Sequence, residues 1–100
     1  MSLKIQQDYR YKGNHYWKWT ARIEGADEDL DQIDHVVYML DPTFLNPVRS
    51  IKDRASKFRL KSAGWGNFRL GARVFFKDGK NTLLTHDIVL KYPDGTPTTA

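Results

Sequence analysis

The chain has no cysteine, which excludes disulfides, thiol nucleophiles and thiolate metal sites together and fits a reducing compartment. It has no apolar run approaching the ~20 residues that cross a bilayer, and no charged-then-apolar leader. A cytoplasmic location without direct membrane insertion is therefore expected. Also missing are a sustained apolar period near 3.6, an internal repeat, a Gly-x-Ser-x-Gly turn, a P-loop and a dinucleotide fingerprint. No nucleophile, base and orienting residue can be assembled from the remainder, so no catalytic residue and no cofactor are expected.

What is present is a mildly basic, aromatic-rich chain of 100 residues, enough for one domain with one core. A domain of this size buries only about two-thirds of the surface its unfolded chain exposes. Its three Trp, five Tyr and five Phe must then supply much of the core. The net charge of +4 comes from basic residues spread along the chain, among them Arg49, Lys52, Arg54, Lys57, Arg59 and Lys61. With no dense basic tract, these read first as solvated strand faces.

Tyr16–Glu24 alternates cleanly, with Trp17, Trp19, Ala21 and Ile23 on one side and Tyr16, Lys18, Thr20 and Arg22 on the other, which predicts a half-buried strand. The same period recurs from Phe68 to Phe76 and from Thr82 to Leu90. The Asp78-Gly79 pair between them predicts a tight hairpin. Ile33–Leu40 is rich in β-branched and aromatic residues and stops at Asp41-Pro42. Leu3–Tyr11 and Lys57–Lys61 give two weaker strands. Six or so short strands separated by turn signals predict an all-β, antiparallel sandwich or barrel. Residues 93–100, rich in proline, glycine and threonine, are expected to be a tail or linker beyond a domain spanning 1–92.

His15, His35 and His86 have no spaced second ligand within their elements and are expected to be structural or exposed, so no metal site is assigned. Asp27, Asp29 and Asp31 have the spacing with which a calcium loop begins. Gln32 and Tyr38 stand where its glycine and bidentate glutamate belong, which leaves a solvated turn.

Two loops each set an aromatic among polar residues or glycines: Asp41-Pro42-Thr43-Phe44-Leu45-Asn46-Pro47 and Ser62-Ala63-Gly64-Trp65-Gly66-Asn67-Phe68. Gly64 and Gly66 allow positive φ and close backbone approach beside Trp65. If the loops meet at one end of the sandwich, Phe44 and Trp65 form two walls of a slot for a planar amide with an apolar tail. From spacing alone the plainer alternative leads, with both aromatics closing the end of the sandwich and packing on Pro42 and Pro47.

From Tyr11 to Tyr92 the chain resembles a YEATS domain. His15-Tyr16-Trp17 is similar to that family's His-x-Trp at its second strand, and Val36-Val37-Tyr38-Met39-Leu40 to the strand leading into its first pocket loop. Thr43-Phe44 with Asn46-Pro47-Val48-Arg49 resembles its Ser/Thr-Phe and following proline and basic residue. Gly64-Trp65-Gly66-Asn67-Phe68 resembles its Gly-aromatic-small-x-Phe loop. The resemblance implies an immunoglobulin-like sandwich, non-enzymatic, that reads a protein or peptide partner carrying acylated lysine. It implies Phe44 and Trp65 as walls, Thr43 as the hydroxyl on the acyl amide and the Trp65 backbone N–H as a further donor. Gly64, Gly66, Asn67 and Phe68 would shape the second loop.

Asp41 stands where the family usually has histidine, and Gly13 where many members have an aromatic or histidine. An anionic Asp41 at the slot would favour an unmodified lysine cation over a neutral acyl group. The chain is similar to the prokaryotic branch, so an interaction or sensory domain of a bacterial signalling protein is the second reading. Nucleic-acid binding through Tyr9, Tyr11, Tyr16 and Trp65 ranks third. The chain is expected to be a monomer.

Overall fold

The computed structural model describes residues 2–98. Seven strands and one helical turn follow in the order β1 (Lys4–Gly13), β2 (Tyr16–Glu24), α1 (Asp27–Leu30), β3 (Ile33–Met39), β4 (Val48–Ile51), β5 (Leu60–Gly64), β6 (Phe68–Phe76) and β7 (Asn81–Ile88). They build two antiparallel sheets, β1-β2-β5 and β4-β3-β6-β7. Trp17, Trp19, Ala21 and Ile23 point from the first sheet onto Val36, Tyr38, Leu70, Ala72 and Val74 of the second, and all are buried. This is the expected sandwich, and the alternation read in β2 and β6 is the one that fills its core. No helix among the described residues is long and apolar enough to cross a membrane.

The turns follow their local chemistry. Asn14 and His15 carry φ of 54° and 57° between β1 and β2, the left-handed pair that matches sheet twist in a two-residue hairpin. Gly79 has φ of 91° in the β6–β7 turn, where Asp78 Oδ1 accepts from Lys80 N at 2.9 Å. In β3 the register slips between Ile33 and His35 against β6, so that Ile33 and Val36 both face inward three residues apart. A bulge produces this without breaking the strand.

Three expectations are revised. Val48–Ile51 is a strand that the sequence did not announce, and the Lys57–Lys61 strand lies further along, at Leu60–Gly64. Lys57 and Phe58 sit instead in a turn with φ of 61° and 58°, and Phe58 is driven into the core with its carbonyl accepting from the Tyr38 hydroxyl at 2.5 Å. Residues 93–98, expected as a tail, fold back: Thr98 N bonds Leu90 O at 3.0 Å, Lys91 bridges Pro97, and Thr98 is only 7% exposed. Residues 99 and 100 lie outside the described residues.

The two sheets are also tied along one edge. Gln7 on β1 gives its Nε2 to Val89 O at 2.8 Å and takes Val89 N at 3.1 Å on Oε1, which lies 2.6 Å from His86 Nε2. Burial holds the His86 imidazole below its ordinary pKa, opposed by nearby Asp87. The folded state thus prefers neutral His86, and the unfolded chain binds more protons below its own value near 6.5. The stabilisation is complete above that value and is lost as pH falls through the lower folded value. Lowering the pH from about 7.5 to about 5.5 should reduce the melting temperature by about 2–4 °C more in the native chain than in His86→Gln, whose amide keeps a donor for Gln7.

Candidate functional site

At one end of the sandwich the β3–β4 loop and the β5–β6 loop face each other across a cavity of about 390 Å³. It is lined by all eight residues singled out in the sequence, Asp41, Thr43, Phe44, Gly64, Trp65, Gly66, Asn67 and Phe68, together with Leu45 and Ala63. The volume lies in the range that holds a small ligand or a long side chain.

The two aromatics play different parts. Phe44 is half-buried, 5.1 Å from the Phe68 ring and 6.3 Å from that of Trp19, and Trp19 and Phe68 lie 5.6 Å apart. It grows out of the core and forms the cavity's fixed wall. Trp65 is 66% exposed and makes no ring contact with another aromatic among the described residues. The plainer expectation that both rings plug the end of the sandwich therefore fails for Trp65 and holds in part for Phe44. Gly64 does not use positive φ, contrary to the freedom expected of it. A Cβ there would lie 3.6 Å from the Phe44 ring, at ordinary contact distance.

Asp41 organises the first loop. Its Oδ1 accepts from Thr43 N at 3.0 Å and Thr43 Oγ1 at 2.8 Å, while its carbonyl accepts from Phe44 N at 3.0 Å. The two Thr43 donors hold the Asp41 carboxyl below the usual carboxylate range, so it is an anion at neutral pH. With its proton directed at Asp41, the Thr43 hydroxyl presents lone pairs outward as an acceptor. Arg49, reaching back from β4, donates from Nε to Asn46 O at 3.1 Å and from Nη2 to Leu45 O at 3.1 Å. Its Nη1 lies 3.4 Å from Ser62 Oγ on β5. One planar guanidinium thus fixes the first loop to the strand that leads into the second.

The second loop is held from behind by the folded-back C-terminal segment. Asn67 Oδ1 accepts from Leu90 N at 3.0 Å and its Nδ2 donates to Thr98 O at 3.1 Å, and Thr98 Oγ1 donates to Trp65 O at 3.3 Å. Asn67 therefore positions Trp65, with its amide spent on the scaffold.

The histidines stand apart from the cavity lining. His15 Nδ1 lies 2.7 Å from the Tyr92 hydroxyl, and His35 stacks on Phe75 at 4.6 Å with Nδ1 2.7 Å from Asp34. The acidic stretch is the single turn α1, and Arg54 bonds Asp31 at 2.8 Å and Asp27 at 3.3 Å, so a guanidinium sits among the carboxylates. Gly13 is committed to the β1–β2 hairpin with φ of 89°. Leu45, 85% exposed on the rim, and Ala63 were missed by the sequence reading. A leucine directly after Phe44, in a loop otherwise made of polar residues and prolines, was the available signal for the first.

A family model described as the prokaryotic YEATS domain matches residues 17–89. The chain belongs to that family. It is 39% identical over 69 residues to the protein AF-9 homolog of Saccharomyces cerevisiae, covering 67% of this chain and 30% of that protein. The solved Yaf9 YEATS domain recognising an H3K122suc peptide superposes with a TM-score of 0.68 at 30% identity, covering 92% of this chain and 71% of that one. The Yaf9 YEATS domain bound to H3K27ac gives 0.66 at 26% identity, covering 96% and 73%. The sandwich is thus the immunoglobulin-like fold of YEATS domains. The Yaf9 relatives in these structures bind acylated histone peptides, and the YEATS reader family is non-catalytic. The pYEATS chain spans about 30% of the length of the AF-9 homolog it matches.

Proposed function

We propose that this pYEATS domain is a non-enzymatic recognition module that takes an acylated lysine of a protein partner into the cavity between Phe44 and Trp65. The observation that carries this reading is the exposed indole of Trp65 held opposite a core-anchored Phe44 across a cavity of about 390 Å³. An acyl amide is planar and polarisable, and stacking between two aromatic faces suits it whatever the tail. The lone pairs of Thr43 Oγ1 would take the amide N–H, and the Trp65 backbone N–H would meet the carbonyl. Asp41, in the family's usual histidine position, would keep the hydroxyl oriented as an acceptor. Its Oδ1 is already bonded twice by Thr43, so one carboxylate oxygen is engaged within the loop.

The test is a tryptophan-fluorescence or NMR titration with peptides carrying acetyl-lysine, crotonyl-lysine or free lysine. Saturable binding of an acylated peptide, with shifts confined to residues around Thr43 and Trp65, is expected. Preference for free lysine would give Asp41 the cation-binding role instead. No response to any of the three would move the assignment to an interaction domain with a different ligand.

A further inference from the structure

The outer face of the three-stranded sheet carries a second, shallower depression of about 620 Å³, floored by Thr20 and Ala63 and ringed by Arg10, Lys12, Lys18 and Lys61. The register explains the cluster: Arg10 pairs with Lys18 and Lys18 with Ala63, while Asp8 pairs with Thr20 and Thr20 with Lys61. Cross-strand neighbours at these positions share one face, so cations separated in sequence converge on one surface. All four are exposed, and none forms an ion pair among the described residues. The one carboxylate present, Asp8, is taken by Arg22 at 2.6 Å. Like charges placed on adjacent strands cost stability. A face that keeps four of them together uncompensated is complementary to an anionic partner.

The depression is also continuous with the aromatic cavity. Ala63 lines both, and Lys61-Ser62-Ala63 runs along β5 directly into Gly64-Trp65. An extended chain advances about 6.6 Å for every two residues, so a peptide anchored in the cavity by one side chain can lay its next few residues over the basic face. We infer that, granted the acyl-lysine reading of the cavity, its partner is a peptide segment in which the acylated lysine is flanked by aspartate or glutamate. A strongly basic segment would be repelled by the same four cations. Nucleic acid is the less fitting anion, because of the two aromatics that line the depression Trp19 is buried and only Tyr9, 43% exposed, could stack on a base.

The experiment compares peptides with the same crotonyl-lysine flanked on both sides by glutamate, glutamine or lysine, each with its unacylated counterpart. They are titrated into the wild-type domain and Lys18→Glu/Lys61→Glu. Glutamate flanks should strengthen acyl-dependent binding about five- to tenfold over glutamine flanks at low ionic strength. Added salt should shrink the gain, and the double variant should abolish it while leaving the glutamine-flanked acyl-peptide unchanged. Equal affinities for glutamate and glutamine flanks, with crotonylation still required, would overturn this inference and leave the cavity reading standing. Binding of glutamate peptides regardless of crotonylation, together with no binding of the glutamine-flanked acyl-peptide, would overturn both. Displacement of the glutamate peptide by a mixed-sequence single-stranded oligonucleotide that itself binds more tightly would assign the face to nucleic acid and overturn the peptide.

Discussion

Changing Trp65 to alanine should weaken acyl-peptide binding by at least about 30-fold, the size of effect expected for an aromatic anchor. It should move the melting temperature by no more than about 2 °C, because little of the residue is buried. Phe44→Ala is the necessary contrast. Its ring packs on Phe68 and Trp19, so truncation opens space beside the core. Half-buried, it should cost about 2–3 kcal/mol, below the value for a fully enclosed phenylalanine. That would lower the melting temperature by about 10 °C while also removing binding. Differential scanning fluorimetry and the crotonyl-lysine titration on the two variants separate the parts. A melting loss in Trp65→Ala as large as in Phe44→Ala would make Trp65 a structural plug. Undiminished peptide affinity in Trp65→Ala would remove it from the site.

How far the sequence disclosed this arrangement depended on whether the signal was local. β2 was legible residue by residue because Trp17, Trp19, Ala21 and Ile23 alternate without interruption and all four are buried. The β6–β7 hairpin was legible from Asp78-Gly79. β4 was not, because Val48–Ile51 is a four-residue edge strand with an inward-facing arginine. Arg49 belongs there only because it reaches loop carbonyls that the sequence could not place beside it. Phe58 misled for the opposite reason. Its alternation with Leu60 looked like a strand, but the chain enters β5 through two left-handed residues and delivers Phe58 to the core from a turn. Eight of the ten cavity residues, all but Leu45 and Ala63, were named in advance, because each loop is continuous in sequence and the YEATS resemblance implied that the two loops meet. Their division of labour was not legible. Nothing local announces that Asn67 is spent on Leu90 and Thr98, or that Asp41 orients a threonine, because each role is fixed by a partner's position. The C-terminal segment was misjudged because composition measures its poverty in apolar residues, whereas backbone and side-chain hydrogen bonds hold it.

That segment gives the second large expectation. Trp17 is fully buried, its ring lies 4.9 Å from that of Tyr92 and 5.0 Å from that of Tyr11, and its Nε1 donates to Lys91 O at 2.8 Å. It joins the core to the strand end from which residues 92–98 turn back to Asn67 and Trp65. Trp17→Ala should cost about 3–5 kcal/mol, a large share of the roughly 5–15 kcal/mol that holds a domain folded. The melting temperature should then fall by about 15–25 °C. Trp17→Phe isolates the hydrogen bond: most of the apolar contact remains, and the loss of one donor to Lys91 costs about 1 kcal/mol. In that variant the amides of Tyr92, Gly95 and Thr98, which bond Thr96, Tyr92 and Leu90 carbonyls, should exchange with solvent several-fold faster than those of β3 and β6. Acyl-peptide affinity should weaken with them, because Thr98 and Asn67 hold the loop that carries Trp65. Unchanged protection at Thr98 in Trp17→Phe would show that the Asn67 amide and the segment's backbone bonds secure it without the Trp17 donor, and would transfer the expected loss of affinity to Asn67→Ala.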